Sequence, residues 1–179
     1  MKTNYHKFLL TVLFAFALAP AFSQFSAGLD IGLPNGSWSD GWGAGFGVSA
    51  RYEKEIQDKL NWTASAGFVS FSGKSYTTVV GYNPATLQPI YGTEKYSSVT
   101  VIPVTGGVKY YFQESNAGFY GAADIGFFIA SGGGSSNTKF GLSPGVGYRL
   151  EKFDFTFRFN AVSDVNYLGL RAAYIFPGK

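Results

Sequence analysis

Residues 153–159 read Phe-Asp-Phe-Thr-Phe-Arg-Phe. Side chains alternate faces along a strand, so Phe153, Phe155, Phe157 and Phe159 share one face. Asp154, Thr156 and Arg158 share the other. A soluble sheet can bury an aromatic face against a core. The same two-residue period, however, returns from Gln24 to the C-terminus, and the chain opens with a segment that reads as an export signal. Together these features predict that the apolar face meets lipid. The polar face then lines the inside of a closed barrel.

The export signal is read from residues 1–23. Lys2, His6 and Lys7 give a positive start, and residues 8–19 are apolar apart from Thr11. Pro20 breaks the run, and Ala21-Phe22-Ser23 offers small residues for cleavage after Ser23. The run is short for a membrane helix, and no Cys follows it to carry a lipid. The expected organisation is a signal peptide over 1–23 and one barrel domain over 24–179.

Removing that segment narrows the chemistry. His6 and Met1 are the chain's one His and one Met, and the chain has no Cys. Disulfides, thiolate chemistry, imidazole catalysis and the usual zinc sites are therefore excluded from residues 24–179. No cofactor, no metal and no catalytic residue is expected, and the chain is not read as an enzyme. Lys2 and Lys7 also belong to the signal, so fourteen basic residues fall to twelve against eleven acidic ones. A basic surface for nucleic acid is not supported.

Eight strands account for the alternation. They cover 25–33, 42–53, 60–71, 96–112, 119–130, 140–150, 153–159 and 166–176. The connections at 54–59, 113–117 and 151–152 are short. Those at 34–41, 73–95, 131–139 and 162–165 include one very long loop. Outer-membrane barrels place short turns in the periplasm and longer loops outside. The expected fold class is all-β: an eight-stranded antiparallel up-and-down transmembrane β-barrel.

Two features favour lipid over a soluble, lipocalin-like core. The polar face is built mostly of Gly, Ser, Thr and Ala, whereas the wet face of a soluble sheet carries Lys and Glu. Tyr52, Trp62, Tyr110, Tyr148 and Tyr174 also collect near one predicted boundary, as an interfacial girdle would.

Three segments carry a family resemblance: residues 101–112 (VIPVTGGVKYYF), 140–148 (FGLSPGVGY) and 167–176 (YLGLRAAYIF). They resemble strands of the outer membrane protein beta-barrel domain family, of the type abundant in Bacteroidota. The resemblance spans residues 24–179. It implies a small eight-stranded outer-membrane barrel and no shared catalytic motif. It also implies outer-membrane lipids and the insertion machinery as partners. Pro177-Gly178-Lys179 departs from the pattern by following the aromatic that ordinarily ends the chain.

By parity, Asp30, Arg51, Glu53, Lys109, Asp124, Arg149, Arg158 and Arg171 point into the lumen. Asp30, Arg51, Asp124, Arg149, Arg158 and Arg171 are the expected ion-pair network, with Asp30 and Asp124 as acceptors for Arg158 and Arg171. A proton or ion path is the competing reading of the same charges. Gly41, Gly43, Gly45 and Gly47 lack the spacing of a dinucleotide fingerprint, and are read as room inside a narrow barrel. Gly73-Lys74-Ser75 lacks the earlier glycine of a phosphate loop.

The loop 73–95 carries Tyr76, Tyr82, Leu87, Ile90 and Tyr91. Residues 75–82 and 90–99 read as strands, with Asn83-Pro84 starting the turn. A hairpin above the membrane is expected, with exposed aromatics and free edges open to a protein partner by strand addition. Gly132 to Ser136 is expected to be a flexible loop. The sequence as a whole reads as a non-enzymatic outer-membrane barrel with a structural or surface-binding role and a filled lumen. The alternative is a narrow channel for small or apolar solutes.

Overall fold

The computed structural model describes residues 23–113 and 116–177. The expected signal, apart from Ser23, lies outside the described residues, as do the last two residues of the chain. Ten strands run in chain order: β1 (Ser23–Pro34), β2 (Trp42–Gln57), β3 (Leu60–Gly73), β4 (Ser75–Tyr82), β5 (Pro89–Lys95), β6 (Val99–Tyr111), β7 (Gly118–Gly132), β8 (Ser135–Arg149), β9 (Phe153–Val162) and β10 (Tyr167–Phe176). A one-turn helix, α1 (Trp38–Gly41), sits between β1 and β2.

Eight strands close into a barrel in the order β1-β10-β9-β8-β7-β6-β3-β2, and every pair is antiparallel. Consecutive strands are neighbours all the way round except at β3 and β6. There β4 and β5 intervene as a separate two-stranded sheet. The expected eight-stranded antiparallel barrel is therefore the fold. Closure removes every free edge from the barrel wall.

The alternation of β9 shows why these sequences form this wall. Phe153, Phe155 and Phe157 are exposed, while Asp154, Thr156 and Arg158 are buried. Leu142, Val146 and Tyr148 on β8 and Leu170 and Tyr174 on β10 continue the exposed apolar surface. The register is pinned across the closing seam, where Asp30 lies opposite Arg171 and Leu29 opposite Ala172. A slip of one residue would turn every charge outward and every phenylalanine inward.

At one end of the barrel, β2–β3 and β8–β9 are joined by tight turns. Lys59 adopts a positive φ of 66° between β2 and β3. The other end carries α1, the β4–β5 hairpin, the β7–β8 turn and residues 163–166. This second group is the loop end. At the β7–β8 turn the structure corrects the sequence reading. Residues 132–136 are not a flexible loop, and the connection read over 131–139 shrinks, because β7 and β8 stay paired out to Gly132 and Ser135. Gly133 and Gly134 make a two-residue turn with φ of 59° and 83°. Two adjacent positive φ values are what a tight hairpin of matching twist requires, and glycine adopts them without strain. Serine hydroxyls and glycines along 131–136 read as a loop only because their sheet neighbours cannot be seen in sequence.

The lumen has two layers. Toward the tight turns it is filled by charges and tyrosines. Toward the loop end, Trp38, Val69, Phe71, Val101, Phe128, Val162 and Tyr167 form an apolar cluster. Phe71 packs edge-on against Trp38 at 4.6 Å and Tyr167 at 5.3 Å. Gly32 and Gly45 make this possible, since a Cβ on either would lie 2.6 Å from the Phe71 ring. Two glycines thus serve one phenylalanine; of the run read as room inside the barrel only Gly45 does so, since Gly41 ends α1, Gly43 faces Ser72 and Gly47 faces the Phe68 carbonyl.

Candidate functional site

The charged layer is built by strands from every side of the barrel. Glu53 on β2 is one centre. It accepts hydrogen bonds from Lys109 Nζ at 2.9 Å, Arg149 Nη1 at 3.1 Å, the Tyr111 hydroxyl at 2.6 Å and Asn61 Nδ2 at 2.7 Å. Asp154 on β9 is the second. It accepts from Lys109 Nζ at 2.6 Å and from the Tyr120 hydroxyl. Lys109 is 0% exposed and also lies 4.3 Å from the centroid of the Tyr120 ring. One ammonium thus joins two carboxylates and an aromatic face, a charge-assisted arrangement that satisfies a buried cation on several sides.

Two further pairs lie toward the middle. Arg158 Nη2 donates to Asp30 at 2.8 Å, and Ser49 donates to the other Asp30 oxygen. Arg51 Nη2 donates to Asp124 at 2.9 Å, and Thr63 donates to the other Asp124 oxygen at 2.9 Å. Arg171 has no close carboxylate. Its Nε donates to Ser49 at 2.9 Å, its Nη2 to Ser26 at 3.1 Å, and Asp154 stands 3.8 Å from Nη1.

All six residues expected to form the network are therefore in the lumen, but the pairing differs from the expectation. Asp124 does not accept from Arg158 or Arg171; its partner is Arg51 on β2, three strands along the wall from β7. The lumen is narrow enough for side chains to meet across it, so partners follow height as well as strand order. Arg51 and Asp124 occupy the same level, and Arg158 is already taken by Asp30.

The sequence reading left Asp154 out of the network, although it has the parity of Arg158. It also passed over Tyr111 and Tyr120, which are fully buried and hydrogen-bonded to acids. The signal was present: each lies one residue from an outward aromatic, Tyr110 or Phe119. Among the described residues the lumen holds four carboxylates, Asp30, Glu53, Asp124 and Asp154. They face five cations: Arg51, Lys109, Arg149, Arg158 and Arg171. No group of three or more His, Cys, Asp or Glu among the described residues is arranged to hold a metal ion.

The second site is the hairpin. β3 and β6 are continued past the barrel by β4 and β5, which pair only with each other. Asn83 organises the tip: its side-chain oxygen accepts from the Ala85 amide at 2.9 Å, and its carbonyl accepts from Leu87 N at 2.8 Å. Tyr76, Tyr82, Leu87, Ile90 and Tyr91 are all exposed, up to 77% for Leu87. Tyr76 donates to Glu94 at 2.9 Å, and this hydrogen bond to a carboxylate pushes its phenol above the ordinary tyrosine value.

Comparison with solved structures places this architecture among small bacterial barrels. The attachment invasion locus protein Ail of Yersinia pestis is 15% identical, with a TM-score of 0.50 over 86% of this chain and 97% of that one. Neisserial surface protein A is 16% identical, with a TM-score of 0.54 over 87% of this chain and 96% of that one. At these identities the likeness is one of fold. No protein-family model and no curated protein matches the chain. The resemblance drawn from residues 101–112, 140–148 and 167–176 thus stands at the level of the eight-stranded barrel.

Proposed function

We propose that this chain is a non-enzymatic integral outer-membrane protein. Its barrel is a filled anchor that carries the β4–β5 hairpin at the cell surface as a binding element. The observation that carries the reading is the inverted distribution of side chains. Phenylalanine and leucine cover the outside, while five cations and four carboxylates are buried inside. Water on the outside would disfavour such a surface, since contiguous apolar area of this extent is foreign to soluble monomers. Lipid favours it.

The fold shared with Ail and neisserial surface protein A supports an outer-membrane location. On this reading the partners of the wall are outer-membrane lipids, the insertion machinery acts during biogenesis, and the cell belongs to a Gram-negative organism of the Bacteroidota type. The hairpin takes a protein partner by strand addition, because β4 and β5 each leave one edge unpaired. A channel is disfavoured by the lumen itself, where Arg51, Lys109, Tyr111 and Tyr120 are at most 1% exposed.

Fractionation and conductance test the reading together. The protein is expected in the outer membrane, migrating faster on gels unless boiled, and giving no stable single-channel steps in planar bilayers. Recovery from the soluble periplasm would overturn the membrane assignment. Stable steps would overturn the filled lumen and favour the channel. Crosslinking from Tyr82 or Tyr91 in intact cells is expected to capture a protein.

A further inference from the structure

Beside the aromatic cluster, the loop end opens into a pocket of about 450 Å³. Trp38, Trp42 and Val165 supply its apolar wall; Ser37, Asn137 and Asp164 supply polar groups around it. We propose that this pocket binds one ring of a neutral carbohydrate. A pyranose is itself two-sided in chemistry. Its C–H faces pack on aromatic rings, and its hydroxyls seek amides and carboxylates.

Both halves of that recognition are present, and the aromatic half is fixed. Trp42 is held in place by its indole N–H, which donates to the Ser97 carbonyl at 3.1 Å, and by the Tyr96 ring at 5.5 Å. Trp42 is the ring that offers a face; Trp38, only 6% exposed, backs it at 5.8 Å and is itself wedged against Phe71 and Tyr167. An aromatic wall locked by its own packing loses little freedom when a ligand arrives. The polar rim, by contrast, is uncommitted. The Asn137 side chain makes no hydrogen bond among the described residues. The Asp164 side chain is 85% exposed, and its one ion-pair partner, Lys139, is 3.6 Å away.

The composition of the wall selects among ligand classes. No arginine lines the pocket, which disfavours phosphate and sulfate. Asp164 disfavours a sugar acid by like charge, an effect that Lys139 at 3.6 Å and solvent exposure reduce. The polar rim disfavours a lipid chain. The volume lies within the ordinary range for small-ligand sites and has room for one ring. Tyr96 and Tyr76, whose rings lie 4.7 Å apart and tilted by 41°, extend the aromatic surface from Trp42 toward the hairpin. A neighbouring ring of a longer glycan would follow that line.

The test uses the purified barrel in a detergent that has no sugar headgroup. Trp62 is the third tryptophan of the chain and sits at the tight-turn end, so Trp62→Phe leaves Trp38 and Trp42 as the fluorescent reporters. Methyl glycosides of glucose, galactose, mannose and N-acetylglucosamine are titrated singly. A saturable change in emission is expected with at least one of them, and weaker binding of the matching uronic acid. Asn137→Ala and Asp164→Gly are each expected to weaken binding about tenfold, the loss of one good hydrogen bond. Both side chains are exposed, and glycine suits the Asp164 φ of 64°, so both variants should fold. No saturable change with any of the four sugars would overturn the proposal. So would binding that both variants leave intact. Neither result touches the membrane reading, because binding is read on the purified protein.

Discussion

The two ends of the lumen are filled by opposite chemistry. Toward the tight turns, Glu53, Lys109, Arg149 and Asp154 hold one another through hydrogen bonds of 2.6–3.1 Å. Toward the loop end, Phe71, Trp38 and Tyr167 fill the same bore by packing alone. The charged end depends on pairing: each of these four buried ions is tolerable only because its partners are present. The aromatic end depends on volume, since Gly32 and Gly45 leave a gap that one ring fills. One barrel thus closes its bore twice, and the two closures should fail in different ways.

The sharpest break of that contrast is Asp154→Ala. It leaves Lys109 with one carboxylate and Tyr120 with Thr156 as its remaining hydrogen-bond partner. A cost of about 3–5 kcal/mol is expected, the usual penalty for removing one partner from a buried ion pair. Replacing Lys109 by Leu in the same chain should recover part of the loss. Urea unfolding in detergent micelles measures both, and equal midpoints for wild type and single variant would mean that these charges are solvated.

At the aromatic end, Phe71→Ala should also be costly, at about 3–5 kcal/mol for an emptied aromatic site. Here no second charge removal should help, because the lost quantity is packing. Recovery by a charge change would erase the distinction between the two ends.

Phe157→Arg moves the comparison from the bore to the wall. A cation on the lipid face near the midplane should cost about 2–4 kcal/mol. The neighbouring Thr156→Ala should lose only its hydrogen bond with Tyr120, about 1 kcal/mol. Equal effects at the two positions would mean that the assigned faces are wrong. The smallest effect should come from Lys139→Ala, which breaks the exposed pair with Asp164. Such surface pairs contribute about 0–1 kcal/mol, far less than the buried ones.

Much of the wall was legible in the sequence because its rule is local. Alternation along Phe153–Phe159 assigns faces without any knowledge of neighbours, and Asn83-Pro84 marks the hairpin tip by its own turn chemistry. The pairing inside the bore was not legible. Whether Asp124 meets Arg51 or Arg171 depends on the stagger between strands, which no single strand encodes. The extension of β7 and β8 to Gly132 and Ser135 was hidden for a related reason. Glycine and serine have weak strand preference, and their neighbours across the ladder hold them there. Helix α1 went unread because a single turn of Trp-Ser-Asp-Gly has no period to detect. Trp38 therefore entered the plug unannounced.

The central claim is that the wall faces lipid and the bore is closed to water. The chain has no cysteine, so single ones can be placed at will. Ser143→Cys and Thr105→Cys are near-isosteric and point inward, at 2% and 7% exposure. Leu142→Cys and Val104→Cys are their outward neighbours. In sealed outer-membrane vesicles, a charged thiol reagent should modify none of the four, while a small apolar one should modify Leu142→Cys and Val104→Cys. Asn137→Cys, on the loop-end rim, serves as the reactive control. Rapid modification of Ser143→Cys and Thr105→Cys by the charged reagent would contradict the account, because it would require a water-filled bore.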